Sequence, residues 1–308
     1  MTEDTMTPTA PRTATQPGRK PVLTQARAPL TQSIEVVNEF GATSTTAIPA
    51  ERDLTVYVDK RELVTLMTLG AHPEWLTLGY LLNQRLIGSA DEVESITVDW
   101  DVGAASVKTR HGIDRIEERT ARRVVTTGCG QGSVFGHLMD EIDAIELPAG
   151  VLRQSQLYAI VNAIRLKEST YKSAGSVHAC ALFRGTDLAL FVEDVGRHNA
   201  VDTIAGWLSL QDAAEHGQGD MLDKVFYTTG RLTSEMVIKS AQMGVAVVIS
   251  RSGITQMGLD VARRVGLCAI GRATNKHFLC YANPQRLVLD AVPPAAPVVA
   301  RERATSPS

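Results

Sequence analysis

The chain has 308 residues, 44% of them hydrophobic and 21% charged, with a formal net charge of -3. That is enough apolar material for one large or two medium domains, and no apolar run reaches the roughly 18 residues of a membrane helix. Aromatics are only 5%, which argues against a site of stacked rings, and the four scattered cysteines argue against a secreted disulfide scaffold. The start lacks a continuous apolar segment of signal-peptide type, so a reducing cytoplasm is the expected compartment.

Proline marks the ends of the expected folded body. Nine of the thirteen prolines lie in residues 1–30 or 291–308, and only Pro49, Pro73, Pro148 and Pro284 lie between. Residues 1–32 and 291–308 read as disordered tails, because neither can bury enough surface to offset chain entropy. A strand-rich subdomain is expected over 33–145 and a second domain over 146–290.

In the first half, β-branched runs predict strands at 54–58 and 63–69, joined by a polar turn at 59–62. A helix is predicted over 73–87, apolar on most of its faces through Trp75, Leu76, Leu78, Tyr80, Leu81, Leu82 and Leu86. Further strands are predicted at 93–98, 105–109, 113–118 and 123–127. Just after the last comes Thr126-Thr127-Gly128-Cys129-Gly130-Gln131-Gly132-Ser133. Glycines packed this closely suit a flexible loop, and a thiol in it would be accessible. The plain alternative is a tight turn with an incidental cysteine.

The second half alternates strand and helix. A helix is predicted over 154–166, then a hairpin of strands 177–183 and 188–192 and a helix over 199–210. Strand 224–229, helix 234–243, strand 246–250, helix 255–265 and strand 268–271 follow. Such alternation builds a mixed sheet covered by helices. Cys180, Cys268 and Cys280 sit in the apolar runs VHACALF, GLCAIG and FLCYA and read as small core residues.

The net charge hides a division. From Lys224 to Arg286 there are nine Lys/Arg and two acids, whereas from Asp187 to Asp223 there are eight acids and one Arg. Arg231, Arg251 and Arg272 follow predicted strand ends, where ligands of α/β sheets bind and helix N-termini favour anions. A phosphate-bearing ligand is one reading, and a solvated basic face paired with the acidic segment is the other. Nucleic acid fits poorly, with few aromatics to stack bases and no overall positive charge.

The chemistry of Cys129 narrows by class. A hydrolase nucleophile is held beside a base, and nothing fixes His137 or His178 against Cys129. A zinc site needs three or four ligands at characteristic spacing, and no CxxC is present. A sulfur carrier needs one exposed thiolate. The order helix, hairpin, helix, strand, helix, strand resembles the cytidine deaminase fold, but its catalytic pieces are missing. Arg197-His198-Asn199-Ala200 has alanine at the place of the general acid/base Glu, and Thr229-Gly230-Arg231-Leu232-Thr233-Ser234 has no cysteine.

Several separate stretches resemble the formate dehydrogenase accessory sulfurtransferases, the FdhD family, over roughly residues 48–290. They are Thr126-Thr127-Gly128-Cys129-Gly130, Ser176-Val177-His178-Ala179, the run EDVGRHNAVD from Glu193 to Asp202, the run GRLTSEMV from Gly230 to Val237, and FLCYANP from Phe278 to Pro284. EDVGRHNAVD is the most specific.

The resemblance implies a sulfur carrier that takes sulfur from a cysteine desulfurase as a persulfide on Cys129. It implies delivery to the molybdenum cofactor, a bis(molybdopterin guanine dinucleotide), before insertion into formate dehydrogenase. The cofactor-binding segment maps onto Phe278, Leu279, Cys280, Tyr281, Ala282 and Asn283. The protein is expected in the cytoplasm as a homodimer, without zinc, nucleic acid or membrane. Many family members have a second loop cysteine where this chain has Gly132, and an Ala-Pro-Thr type of sequence is common where this chain has Ser252-Gly253-Ile254-Thr255.

Around that site, Arg231, Arg251, Arg272 and Lys276 are candidates for the phosphates. His198 is a candidate for a base or sugar, or else a structural residue near a helix start. Phe278 and Tyr281 either flank a ring or belong to a strand core. Asp194 and Asn199 are expected to fix the turn entering a helix. The expected fold is α/β: an α+β N-terminal subdomain and a cytidine-deaminase-like, three-layer C-terminal domain with a mixed sheet. The alternatives to a sulfur carrier are a non-catalytic molybdenum cofactor chaperone and an unusual zinc deaminase.

Overall fold

The computed structural model describes residues 20–114, 116–117, 142–167, 169–211 and 224–291. The N-terminal part is built on a five-stranded sheet of β1 (Val22–Leu23), β4 (Arg52–Val58), β5 (Arg61–Thr68), β6 (Val93–Asp99) and β7 (Ala104–Thr109). Its spatial order is β1-β6-β7-β4-β5. Alternation along β4 buries Leu54, Val56 and Val58 on one face, where they meet Leu76, Leu78 and Leu81 of α1 (Pro73–Asn83). Pro73 opens α1, where a missing N–H costs nothing.

Helix α1 is buried on most faces because α4 (Arg197–Ser209) of the second domain crosses it on the side away from the sheet. The crossing is close enough to require glycine. A Cβ on Gly79 would lie 1.7 Å from the Asp202 carbonyl oxygen, and one on Gly206 would lie 1.9 Å from that of Trp75.

Beside a separate short parallel pair of β8 (Leu152–Arg153) and β15 (Leu287–Val288), the C-terminal part is built on a six-stranded mixed sheet in the order β10-β9-β11-β12-β13-β14. Its strands are β9 (His178–Arg184), β10 (Asp187–Asp194), β11 (Lys224–Thr228), β12 (Val247–Ser250), β13 (Cys268–Thr274) and β14 (His277–Ala282). The central pairs β11–β12 and β12–β13 are parallel, and the outer ones are antiparallel. Helices α4, α5 (Ser234–Gln242) and α6 (Gln256–Arg264) cover one face through Ile204, Val237 and Val261. Helix α2 (Gln154–Leu166) covers the other through Leu157, Ile160 and Val161. Burial on both faces explains why these strands read as continuous apolar runs. This is the expected three-layer α/β arrangement.

Three differences from the sequence reading have physical causes. Residues 20–32 of the expected N-terminal tail take part in the fold: β1 pairs in parallel with β6, and β2 (Thr31–Val37) forms a hairpin with β3 (Thr43–Pro49), while 1–19 and 292–308 of the expected tails lie outside the described residues. Hydrogen bonds fix this stretch. Thr24 Oγ1 and the Ala26 amide both donate to Glu74 Oε1, at 2.7 and 2.6 Å. Apolar periodicity does not register such bonds. The strand expected over 113–118 is replaced by helical residues at Ile116 and Glu117, and Arg61 pairs with Glu117 at 2.8 Å. This charged stretch lacks a strand's apolar alternation. The strand-like run FLCYA lies in β14, the half-exposed edge strand of the sheet, which carries less apolar signal than the buried central strands and so is not delimited by it. The strand expected at 123–127 and the Cys129 loop lie outside the described residues.

The glycine crossing makes a direct prediction. Gly79→Ala should cost about 3 kcal/mol, lowering the thermal midpoint by on the order of 10 °C. A variant melting with the parent protein would contradict the close crossing.

Candidate functional site

Strands β11, β12 and β13 all end at one edge of the sheet, and their following loops are laced together. The Arg251 amide donates to the Thr228 carbonyl at 3.0 Å, Ser250 Oγ to the Gly230 carbonyl at 2.7 Å, and the Arg272 amide to the Ser252 carbonyl at 2.7 Å. This lacing presents Arg231, Arg251 and Arg272 as exposed side chains along the edge, and among the described residues no ion pair engages any of them. Half-buried His178 lies beside this edge. Burial, then Arg197 and Arg231, hold its imidazole below the ordinary range, which favours the neutral ring at pH 7.

A cavity of about 280 Å³ opens at this edge on the α2 side of the sheet. Its walls include Phe191, Glu193 and Tyr227, and exposed Arg165, Lys167, Lys172 and Arg251 contribute cations. Burial pushes the Tyr227 hydroxyl up to about 12, with Arg251 opposing the shift. Lys167 Nζ stands 5.7 Å from the Phe191 ring centre. Glu193 is 9% exposed, and its carboxylate accepts from the Thr170 amide at 2.6 Å and the Tyr171 amide at 3.1 Å. Those amides open the short helix α3 (Thr170–Ala174).

Of the residues singled out from the sequence, Arg251 lines this cavity, while Arg231, Arg272, Lys276 and His198 do not. His198 is 3% exposed, with Nε2 3.3 Å from Glu235 Oε2. Arg165, Lys167 and Lys172 escaped the charge count because they precede the basic segment by more than fifty positions. Only the fold brings them to Arg251.

The segment from Phe278 to Asn283 divides between surroundings. Phe278 packs 6.2 Å from the Tyr158 ring, and Cys280 Sγ lies 3.8 Å from Cys268 Sγ, both on the α2 side. Leu279 is 46% exposed. Tyr281 covers Gly271, where a Cβ would come within 2.7 Å of its ring. Ala282 is buried in the core under α4, α5 and α6. Asn283, at φ 50°, donates from Nδ2 to the Ala262 carbonyl at 3.0 Å and the Leu267 carbonyl at 2.8 Å. It closes the C-terminal end of α6. None of the six lines the cavity.

The run from Glu193 to Asp202 ties the six-stranded sheet to the five-stranded one. Asp194 accepts from Thr68 Oγ1, the Leu69 amide, the Gly196 amide and Asn199 Nδ2. Asn199 Nδ2 also donates to the Met67 carbonyl at 2.6 Å. Asp194 and Asn199 thus fix the turn into α4, as expected, and tie it to the end of β5 as well. Ala200, at the deaminase Glu position, is fully buried core. Among the described residues no three His, Cys, Asp or Glu side chains gather as a metal site.

The FdhD/NarQ family model matches residues 49–288, most of the chain. The chain belongs to the FdhD/NarQ family. Curated relatives named sulfur carrier protein FdhD share its sequence over most of both lengths. That of Geobacillus kaustophilus is 27% identical, covering 79% of this chain and 90% of the relative. That of Bacillus pumilus is 29% identical over 79% and 91%, and that of Bacillus subtilis 29% over 77% and 88%. A crystal structure titled as a formate dehydrogenase accessory protein, from Desulfotalea psychrophila, shares the fold. Its TM-score is 0.66 at 24% identity, covering 84% of this chain and all of that one. The FdhD/NarQ match begins at the end of the β2–β3 hairpin. Cys129 and Gly132 fall inside the match but outside the described residues. No helix among the described residues is long and apolar enough to cross a membrane.

Asn283→Ala removes two hydrogen bonds and a residue type that tolerates the left-handed conformation. A loss of about 2 kcal/mol in stability is expected, measured by chemical denaturation. An unchanged midpoint would contradict the structural role.

Proposed function

We propose that this chain is a sulfur carrier serving formate dehydrogenase, acting in the cytoplasm as a homodimer. The Cys129 thiolate attacks the outer sulfur of a cysteine desulfurase persulfide. The donor's S–S bond breaks, its cysteine leaves as a thiolate, and the sulfur remains on Cys129 as a persulfide. The acceptor is the molybdenum cofactor, a bis(molybdopterin guanine dinucleotide), before it enters formate dehydrogenase.

The observation that supports this reading best is the cation-rimmed cavity at the sheet edge. Arg165, Lys167, Lys172 and Arg251 suit a ligand carrying several phosphates. The names of the curated relatives support the sulfur-carrying part. Gly132 leaves the loop without a second thiol to resolve the persulfide, so the sulfur stays until an acceptor or an external thiol removes it. The same glycine favours a second reading, a chaperone that holds the cofactor without transferring sulfur.

Intact-protein mass spectrometry separates the two. After incubation with a cysteine desulfurase and cysteine, the carrier should gain one sulfur atom that reductant removes and Cys129→Ala lacks. No gain on the parent protein, or an equal gain on the variant, would contradict the assignment.

A further inference from the structure

We propose that Cys268 and Cys280 form a reactive dithiol, a modification site separate from Cys129, which hydrogen peroxide closes into a reversible disulfide between β13 and β14.

The strands place the two thiols together. Cys268 opens β13, and Cys280 lies within β14 at the edge of the sheet. Cys280 pairs across with Ile270, which shares a face of β13 with Cys268. The thiols therefore meet on the α2 side, with their Sγ atoms 3.8 Å apart. A disulfide brings its sulfurs to about 2.05 Å. Closing the gap takes side-chain rotation and a small shift of β14. That strand has room to shift, because among the described residues no further strand pairs with its outer side. The pairing is also irregular here: Tyr281 is an extra residue between the pairs Ile270–Cys280 and Ala269–Ala282.

The two thiols are unequal. Cys268 is fully buried, whereas Cys280 is half-buried and within reach of a small oxidant. The hydrogen bond from Cys268 holds the Cys280 thiol below its ordinary range, against its partial burial, so Cys280 is the nucleophile. The same bond, and then burial, push the Cys268 thiol up, so it keeps its proton. Cys180 makes the contrast: it is fully buried, and burial pushes its thiol up to about 12.

The chemistry runs in two steps. The Cys280 thiolate attacks one peroxide oxygen, the O–O bond breaks, and hydroxide leaves and takes up the proton Cys280 gave up. Cys280 is now a sulfenic acid. The Cys268 sulfur then attacks the Cys280 sulfur while its proton passes to the departing hydroxyl. The S–O bond breaks and water leaves. Two thiols have lost two hydrogens and two electrons, and the peroxide has become two waters. An external dithiol restores both thiols through two exchanges.

Non-reducing peptide mapping of the full chain tests this. The reduced, folded protein is treated with hydrogen peroxide, and the remaining thiols are capped with N-ethylmaleimide in denaturant. Trypsin then releases Cys268 in residues 265–272 and Cys280 in residues 277–286. The expected product is these two peptides joined, at their summed mass less two hydrogens, and separated by reductant. In Cys268→Ser, Cys280 should stop at the sulfenic acid and be trapped by dimedone.

Both peptides recovered singly capped, at a peroxide excess that oxidises free cysteine in the same tube, would overturn the proposal. Linkage of either cysteine to Cys129 or Cys180 instead would also overturn it, as would a folded Cys268→Ser without the dimedone adduct. The mapping uses unaltered protein, so it decides even if the variant fails to fold. Cys129 lies on another peptide, so the success or failure of its persulfide is read separately.

Discussion

The structure depends on a buried ion pair where α1 crosses α4. Lys239 and Asp202 are both fully buried, 2.9 Å apart, and Asn83 of the N-terminal domain donates to Asp202 at 2.6 Å. Glu235 joins from 3.2 Å and brings His198 with it. Burial alone would lower the Lys239 ammonium, but Asp202 and Glu235 outweigh it and hold it above the ordinary lysine range. Removing one member strands the others as uncompensated buried charge, at about 3–5 kcal/mol. The glycine contact at Gly79 and Gly206 makes this possible, because only helices in backbone contact let Asn83 reach Asp202.

The same region sets the cavity wall. Successive side chains on a strand point to opposite faces. At the end of β10, Asp194 turns toward Thr68 and Leu69 of the N-terminal domain, while Glu193 turns toward α3 and the cavity. Four donors hold Asp194, although burial pushes its carboxyl up. The strand end is therefore fixed from one side while it presents a carboxylate on the other. The most specific motif of the chain acts mainly as a joint, and one residue of it lines the cavity.

Much of the second domain was legible because its signals are apolar. Helix α2 has a clear period, and β11 and β12 are short apolar runs between helices. Arg251 was legible because it follows a strand end. The other cavity cations were not: Arg165 and Lys167 end α2, Lys172 lies in α3, and no sequence spacing links them to Arg251. Glu193 looked like part of an acidic segment, since two backbone amides and a fold-made cavity define its role. The N-terminal stretch shows no apolar period because strand pairing, hydrogen bonds to Glu74 and the isolated contacts of Leu23 and Ala26 hold it. The net charge of -3 likewise concealed a basic rim assembled from three separate parts of the chain.

The central claim is that Cys129 carries sulfur while the sheet edge holds the acceptor. Formate dehydrogenase activity in cells lacking their own sulfur carrier tests it most directly. The parent chain should restore activity and Cys129→Ala, expressed to the same level, should not. Full restoration by Cys129→Ala would contradict the account and leave a cofactor chaperone in its place.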